Sequence, residues 1–172
     1  ALPGDTFSIE NGIYIVKGIT DKLGHYEREV ELSQKADSLF PPEIFNCFPH
    51  DTANFGWTIK NFGPLYVPKA KDTVHLDTLN YVLYKNLIEY ETDRPVRLRD
   101  GKLYLGDRVL YDYTFQMNYY FMAGDYIFDS RDSRYWGLLP EDHIVGKAAV
   151  IWQSKDMLTK KRRWNRIFKA VK

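Results

Sequence analysis

The chain has 172 residues, enough for one compact domain or for one domain carrying an insertion, and it is 44% apolar, 27% charged and, unusually, 16% aromatic. No apolar run approaches the roughly 20 residues needed to cross a bilayer as a helix, nothing resembles a signal peptide, and the single cysteine, Cys47, excludes an internal disulfide and a Cys-rich metal site. The net charge of +1 hides a split: Lys155 to Lys172 holds eight Lys or Arg against Asp156 alone, a local +7, which leaves −6 on residues 1–154.

"TFSIENGIYIV" alternates on both sides of Asn11-Gly12, the strongest short hairpin signal. From about Ile19 the texture becomes charged and is punctuated by Pro41, Pro42 and Pro49, which predicts a short helix followed by an irregular loop. "FGPLYVPKAKDT" reads as a short extended piece between Gly63, Pro64 and Pro68. Leu79, Leu83, Leu87 and Tyr90 fall at helical spacing. Asp100-Gly101 between alternating runs predicts a second hairpin. "YTFQMNYYFMAGD" reads as an aromatic strand ending at Gly124, and "HIVGKAAVIWQS" as a strand buried on both faces. In the tail, Trp164, Ile167, Phe168 and Val171 stand at i, i+3, i+4 and i+7, the stripe of an amphipathic C-terminal helix. Such a basic helix either docks on the body or lies on anionic lipid. No nucleic-acid partner is expected, because the rest of the chain carries a net negative charge that opposes binding along a phosphate backbone.

Between the last two predicted strands lies "GDYIFDSRDSRYWG", Gly124 to Gly137. Arg131 and Arg134 are close in sequence to Asp125, Asp129 and Asp132, and a planar guanidinium bridging carboxylates can pin a loop and hold Ser130 and Ser133 in place. The alternative is a solvated turn with surface ion pairs of about 0–1 kcal/mol each. The three aspartates do not predict a metal site, since the arginines compete as counter-ions and no EF-hand spacing is present. His25, His50, His75 and His143 show no zinc-ligand spacing. No GxSxG elbow, GxGxxG or P-loop appears, and no cofactor is expected.

The same loop, read on to "SRDSRYWGLLPEDHIVGKA", resembles the most characteristic box of the type I signal peptidases, GDNRxxSxDSRYWGxVPxxxIVGKA. "LPGD", Leu2, Pro3, Gly4 and Asp5, resembles the family's KRxxGLPGD segment. "FGPLYVP" and "YYFMAGD" resemble its FGPxxVPxG and YFxMGD elements, in the same order, and "WNRIFK" resembles the tails of some members. Residues 19–61 and 69–114 carry little of the likeness. The resemblance implies a membrane-anchored serine endopeptidase that removes signal peptides from preproteins on the outer face of the cytoplasmic membrane. It implies a mainly antiparallel β-core, here formed by 1–18 and 115–172, with 19–114 inserted as a partly helical α+β subdomain.

In that family a serine from an SMxPT box is the nucleophile and a lysine is the base, which burial keeps neutral. Carried over by position, Ser130 orients the lysine, Asp132 and Arg134 form the ion pair that shapes the site, and Asp125 supports Arg134. The nucleophile and the lysine belong upstream of Leu2, so this polypeptide is expected to be inactive by itself. The chain departs from the box at Tyr126-Ile127, where the family has Asn-Arg. That departure keeps open a second reading, an inactive paralogue that binds peptide or membrane, with Lys155 to Lys172 as the lipid contact.

Overall fold

A computed structural model describes residues 1–156 and 159–171. Its contacts divide the chain into two units, Ala1–Glu141 and Asp142–Lys172.

The first unit opens with the hairpin of β1 (Thr6–Glu10) and β2 (Ile13–Val16), in register from Phe7↔Val16 to Glu10↔Ile13. Asn11 and Gly12 close it at φ of 47° and 84°, the left-handed pair that a two-residue turn requires. Helix α1 (Tyr26–Gln34) lies on this turn. A Cβ on Gly12 would stand 3.3 Å from the Glu29 carbonyl and the Leu32 side chain, so only glycine permits that approach. Two 3₁₀ turns follow, Asp37–Leu39 and Pro42–Phe45, which is the short helix and irregular loop expected there.

Strand β3 (Phe62–Tyr66) returns to pair with β1, giving the order β2-β1-β3. The ladder shifts register between Phe7 and Ile9 where Gly63 presses against Phe7; a Cβ there would sit 2.6 Å from the Phe7 carbonyl oxygen. Phe7, Ile9, Phe62 and Leu65 of these strands are buried, and Phe7 stacks on Phe121 with 4.1 Å between ring centroids.

From here the chain makes an excursion that leaves and returns on one ladder, β4 (Thr73–His75) with β8 (Asp112–Thr114). It contains α2 (Thr78–Thr92), capped by the Asp77 carboxylate on the Asn80 amide at 2.7 Å, and the meander β5 (Val96–Arg99), β6 (Lys102–Leu105), β7 (Arg108–Val109). Asp100 and Gly101 turn the first of its hairpins at φ of 48° and 71°. The α2 face that packs is Leu83, Tyr84, Leu87 and Ile88; Leu79 and Tyr90, at the ends of the expected stripe, are exposed. Glu91 ties the helix to the chain that follows: it accepts from the Tyr113 hydroxyl at 2.6 Å and the Tyr119 hydroxyl at 2.9 Å.

Strand β9 (Tyr119–Tyr120) pairs with β10 (Leu139–Pro140) on either side of the loop that carries helix α3 (Ser133–Trp136). The protein is thus mainly antiparallel β, as expected, with three α-helices among the described residues. The division into parts differs from the expected one. Phe62–Tyr66, placed in the insertion, completes the β1 sheet, and the excursion proper begins at Thr73. The aromatic strand before Gly124 is broken into β8 and β9, because residues 115–118 turn to meet Glu91 through the amides of Gln116 and Met117.

The second unit corrects two expectations. The segment "HIVGKAAVIWQS" is not a strand buried on both faces: Val145, Val150 and Trp152 are exposed. Among the described residues it bridges to the returning chain at Val150↔Ala170, and a strand covered on neither face stays open to water. The C-terminal amphipathic α-helix is replaced by one 3₁₀ turn, Trp164–Arg166, between extended pieces. The Phe168 amide donates to the Ile151 carbonyl at 2.7 Å and the Val171 amide to the Ala149 carbonyl at 3.0 Å, so cross-strand partners take the groups a helix would have used. Ile167 and Val171 also favour extended backbone, and Phe168, at φ 58°, turns the chain between them. Met157, Leu158 and Lys172 lie outside the described residues.

Candidate functional site

The loop from Met122 to Gly137 is held by a ladder of polar contacts that begins at Ser133. Its amide donates to the Met122 carbonyl at 2.9 Å, and its hydroxyl accepts from the Met122 amide at 2.9 Å. One residue away, Asp132 caps α3 by accepting from the Arg134 amide at 3.1 Å and reaches across the loop to accept from the Gly124 amide at 2.7 Å. The same carboxylate receives the Arg134 guanidinium in a two-pronged bond, Nε at 2.8 Å and Nη2 at 2.7 Å. The Arg134 side chain is 0% exposed and that of Asp132 is 11% exposed. This is a desolvated pair, not a surface one. Burial works against the guanidinium charge, and the hydrogen bonds to Asp132, aided by the charge environment of Tyr14, outweigh it and hold the Arg134 pKa above its ordinary value.

Ser130 sits directly over Gly124: a Cβ there would stand 2.3 Å from the Ser130 hydroxyl oxygen and 2.9 Å from its Cβ. The clamp through Asp132 therefore fixes the strip on which Ser130 rests. On the other side of the loop the Phe48 amide donates to the Arg134 carbonyl at 2.8 Å, and the Phe48 ring covers Gly137, which has φ 90°. The Tyr135 hydroxyl donates to the Ile44 carbonyl at 3.1 Å, and the Trp136 indole NH to the Arg131 carbonyl at 3.1 Å. Burial pushes the Tyr135 phenol and the Cys47 thiol up to about 12.

Leu2 to Asp5 form a tight turn with Pro3 and Gly4 (φ 94°) at its centre, closed by the Asp5 amide on the Leu2 carbonyl at 3.0 Å and by the Leu2 amide on the Asp5 carboxylate at 2.7 Å. The turn is seated on the residue just after β3: the Gly4 amide donates to the Val67 carbonyl and the Val67 amide to the Asp5 carbonyl. Ala1 and Phe121 exchange both backbone bonds, 2.9 Å and 3.1 Å, as an antiparallel pair. Beside this pair opens a cleft of about 360 Å³ walled by Phe7, Tyr14, Val16 and Phe121 and rimmed by the exposed Leu2 and Met122.

The structure brings Ser130, Asp132 and Arg134 into one unit and places the Leu2–Asp5 turn at the edge of the neighbouring cleft. It does not bring in Asp125, which is exposed and makes no ion pair with Arg134. Tyr126 and Ile127 part company: Tyr126 is exposed and Ile127, where the box has arginine, is 1% exposed in the apolar core.

Sequence reading missed Glu29 and Tyr14. Glu29 of α1 is fully buried, accepts from the Tyr14 amide at 2.9 Å, and has its pKa raised by that burial. Tyr14 stands between Glu29 and Arg134 in charge environment, and burial pushes its phenol up to about 12. The only sequence trace of Glu29's burial was its i,i+3 spacing to Leu32.

Fold and site together define an antiparallel β protein that immobilises one serine-bearing loop through a buried carboxylate–guanidinium pair. The chain belongs to the family "Signal peptidase, peptidase S26", whose model matches residues 1–153. Among curated proteins it is similar to the signal peptidase I of Haemophilus influenzae, 44% identical over 57 residues, which is 31% of this chain and 16% of that protein. It is also similar to the signal peptidase I of Buchnera aphidicola subsp. Schizaphis graminum, 57% identical over 37 residues (22% of this chain, 12% of that protein). The signal peptidase I of Aquifex aeolicus is 53% identical over 36 residues (21% and 14%). The matched stretches thus span less than a fifth of these relatives' length. No solved structure matches the chain.

Proposed function

We propose that the chain is the β-core of a membrane-bound serine endopeptidase that removes signal peptides from preproteins outside the cytoplasmic membrane, with its nucleophilic serine and basic lysine supplied by sequence that precedes Leu2. The observation that carries this reading is the buried Asp132–Arg134 pair, which fixes the strip bearing Ser130. The antiparallel Ala1–Phe121 pair adds direction. Chain preceding Ala1 would run on beside Met122, Ala123 and Gly124, advancing about 3.4 Å per residue, and a lysine five positions before Leu2 would come level with Asp125.

In this reading the Ser130 hydroxyl accepts a hydrogen bond from the lysine amine and aims its lone pair at the nucleophilic serine. The amine must be neutral to take the serine proton, and an apolar cleft favours the neutral form by penalising the charged one. The serine oxygen then attacks the scissile carbonyl, and the lysine returns the proton to the leaving amine. The substrate would lie extended beside the cleft, adding a strand, with small side chains at the −1 and −3 positions turned inward.

The test is a lengthened polypeptide that contains the upstream serine and lysine, given a preprotein in detergent. Cleavage is expected, and Ser130→Ala should lower kcat by about 10²-fold or more with KM little changed, since the orientation of a base worth about 10²–10⁴-fold is lost. An intact preprotein would remove the reading. A second reading, a peptide-binding or membrane-binding paralogue without activity, is favoured by Ile127, which takes an apolar core position where the box has arginine. Signal-peptide binding without cleavage by the lengthened chain would select it.

The same reading includes a lipid contact through the basic tail. The exposed Trp152, Trp164 and Phe168 stand among Lys155, Lys160, Lys161, Arg162, Arg166 and Lys169, and aromatic groups beside cations suit an anionic headgroup region. Among the described residues no helix is long and apolar enough to cross a membrane, so this contact would be peripheral.

A further inference from the structure

The excursion from Thr73 to Thr114 presents a surface that its own stability does not explain. In the β5-β6-β7 sheet the register places Arg97 opposite Tyr104, Arg99 opposite Lys102 and Tyr104 opposite Val109, so these five side chains share one face. The other face carries Val96 and Leu103, both buried, with Leu105 half-buried and Leu98 and Arg108 exposed towards its ends. Arg97, Arg99 and Lys102 are exposed, and among the described residues none of them makes an ion pair or a side-chain hydrogen bond. Asp100 and Asp107 occupy the two connecting turns without pairing to them.

Like charges directly opposite each other destabilise a strand pair, and Arg99–Lys102 flank the Asp100-Gly101 turn as such a pair, with Arg97 two residues away on the same face. The fold gains nothing from three cations here; an external anionic surface would. We propose that this face docks on the anionic headgroups of a phospholipid bilayer. Tyr104 lies within this face, and the exposed Tyr111 follows β7 in the chain, the residue type that settles at a membrane–water interface. The inference rests on the membrane-bound part of the reading above and not on the chemistry of the Ser130 loop.

The test is co-sedimentation of the 172-residue chain with phosphatidylcholine vesicles, with and without phosphatidylglycerol, at low and at raised salt. Three proteins are compared: the unaltered chain, Arg97→Gln/Arg99→Gln/Lys102→Gln, and a tail variant, Arg162→Gln/Arg166→Gln/Lys169→Gln. Binding is expected only with phosphatidylglycerol and should weaken as salt rises. The sheet variant should bind roughly a hundredfold more weakly, about fivefold per cation near the surface, while its melting temperature rises, because repulsion has been removed. Unchanged vesicle binding by the sheet variant would overturn the proposal, as would a lowered melting temperature. Binding of a polyglutamate peptide or of inorganic phosphate to this face, with no binding to vesicles, would equally overturn it in favour of an acidic partner or a small anion. Because no arm requires cleavage, a failed vesicle experiment beside successful preprotein cleavage rejects this inference alone.

Discussion

Two stretches of this chain are built from the same materials and meet opposite fates. Residues 124–137 and 152–169 both mix arginine and tryptophan with acid, three aspartates in the first and Asp156 alone in the second. In the first, a carboxylate two residues before an arginine receives both prongs of its guanidinium, the pair is buried, and the loop becomes part of the core. In the second, Asp156 accepts from the Thr159 amide and hydroxyl, Arg162 lies over the Trp164 ring, Arg163 is half-buried against the Lys155 carbonyl at 3.0 Å, and the other cations stay in water. What separates them is not composition but whether one carboxylate is placed to receive two nitrogens of a guanidinium away from solvent. A buried pair of this kind adds little net stability over an apolar substitute, yet losing one partner leaves an uncompensated charge. The clamp is a device for geometry, and the ribbon a device for exposure.

The sharpest way to break this contrast is Arg134→Ala, which strands the Asp132 carboxylate. The expected loss is about 3–5 kcal/mol, read as a shift of the urea midpoint at neutral pH, whereas Arg166→Ala in the ribbon should leave that midpoint unchanged. Equal effects would erase the distinction between the two regions.

Next comes Gly124→Ala. The new methyl must displace Ser130, whose Cβ would be 2.9 Å away, and overpacking of this kind costs about 1–3 kcal/mol. The melting temperature should fall, and in the lengthened protein kcat should fall with it.

A third prediction concerns pH. Burial raises the folded-state pKa of Glu29, so in the window from its unfolded value of about 4.3 up to that raised value the folded state binds more protons than the unfolded one. Glu29 therefore makes stability fall as pH rises through this window. Glu29→Gln should flatten that decline in denaturation curves recorded at stepped pH; an identical slope in the two proteins would count against the burial argument.

The smallest effect is expected at Asp125, which the resemblance assigned to Arg134 but which the fold leaves exposed. Asp125→Ala should change stability by less than about 0.5 kcal/mol, as at an ordinary surface site. A loss comparable to that of Arg134→Ala would restore its role as a support.

What the sequence disclosed follows from how far each feature reaches along the chain. Asn11-Gly12 and Asp100-Gly101 announced their hairpins because a two-residue turn needs left-handed backbone at those positions, and that need is local. The Asp132–Arg134 pair was legible for the same reason, being two residues apart. The pairing of β3 with β1 was not, since its partners are more than fifty residues apart and nothing between them fixes the register. Ser130 packing on Gly124, Phe48 bonding Arg134 and Glu29 entering the core are likewise set by folding and not by spacing. The tail shows the converse error. An i, i+3, i+4, i+7 stripe predicts a helix only if the backbone has no better partner, and residues 149–151 supply one.

The most direct measurement is the hydrogen exchange of the Gly124 amide, the group that ties Ser130's strip to the Asp132–Arg134 pair. Among loop amides it should be strongly protected, and Arg134→Ala should abolish that protection while leaving the β1–β2 hairpin amides slow. A Gly124 amide that exchanges as fast as an open loop in the unaltered protein would mean that the pair clamps nothing and that Ser130 is not held for any base.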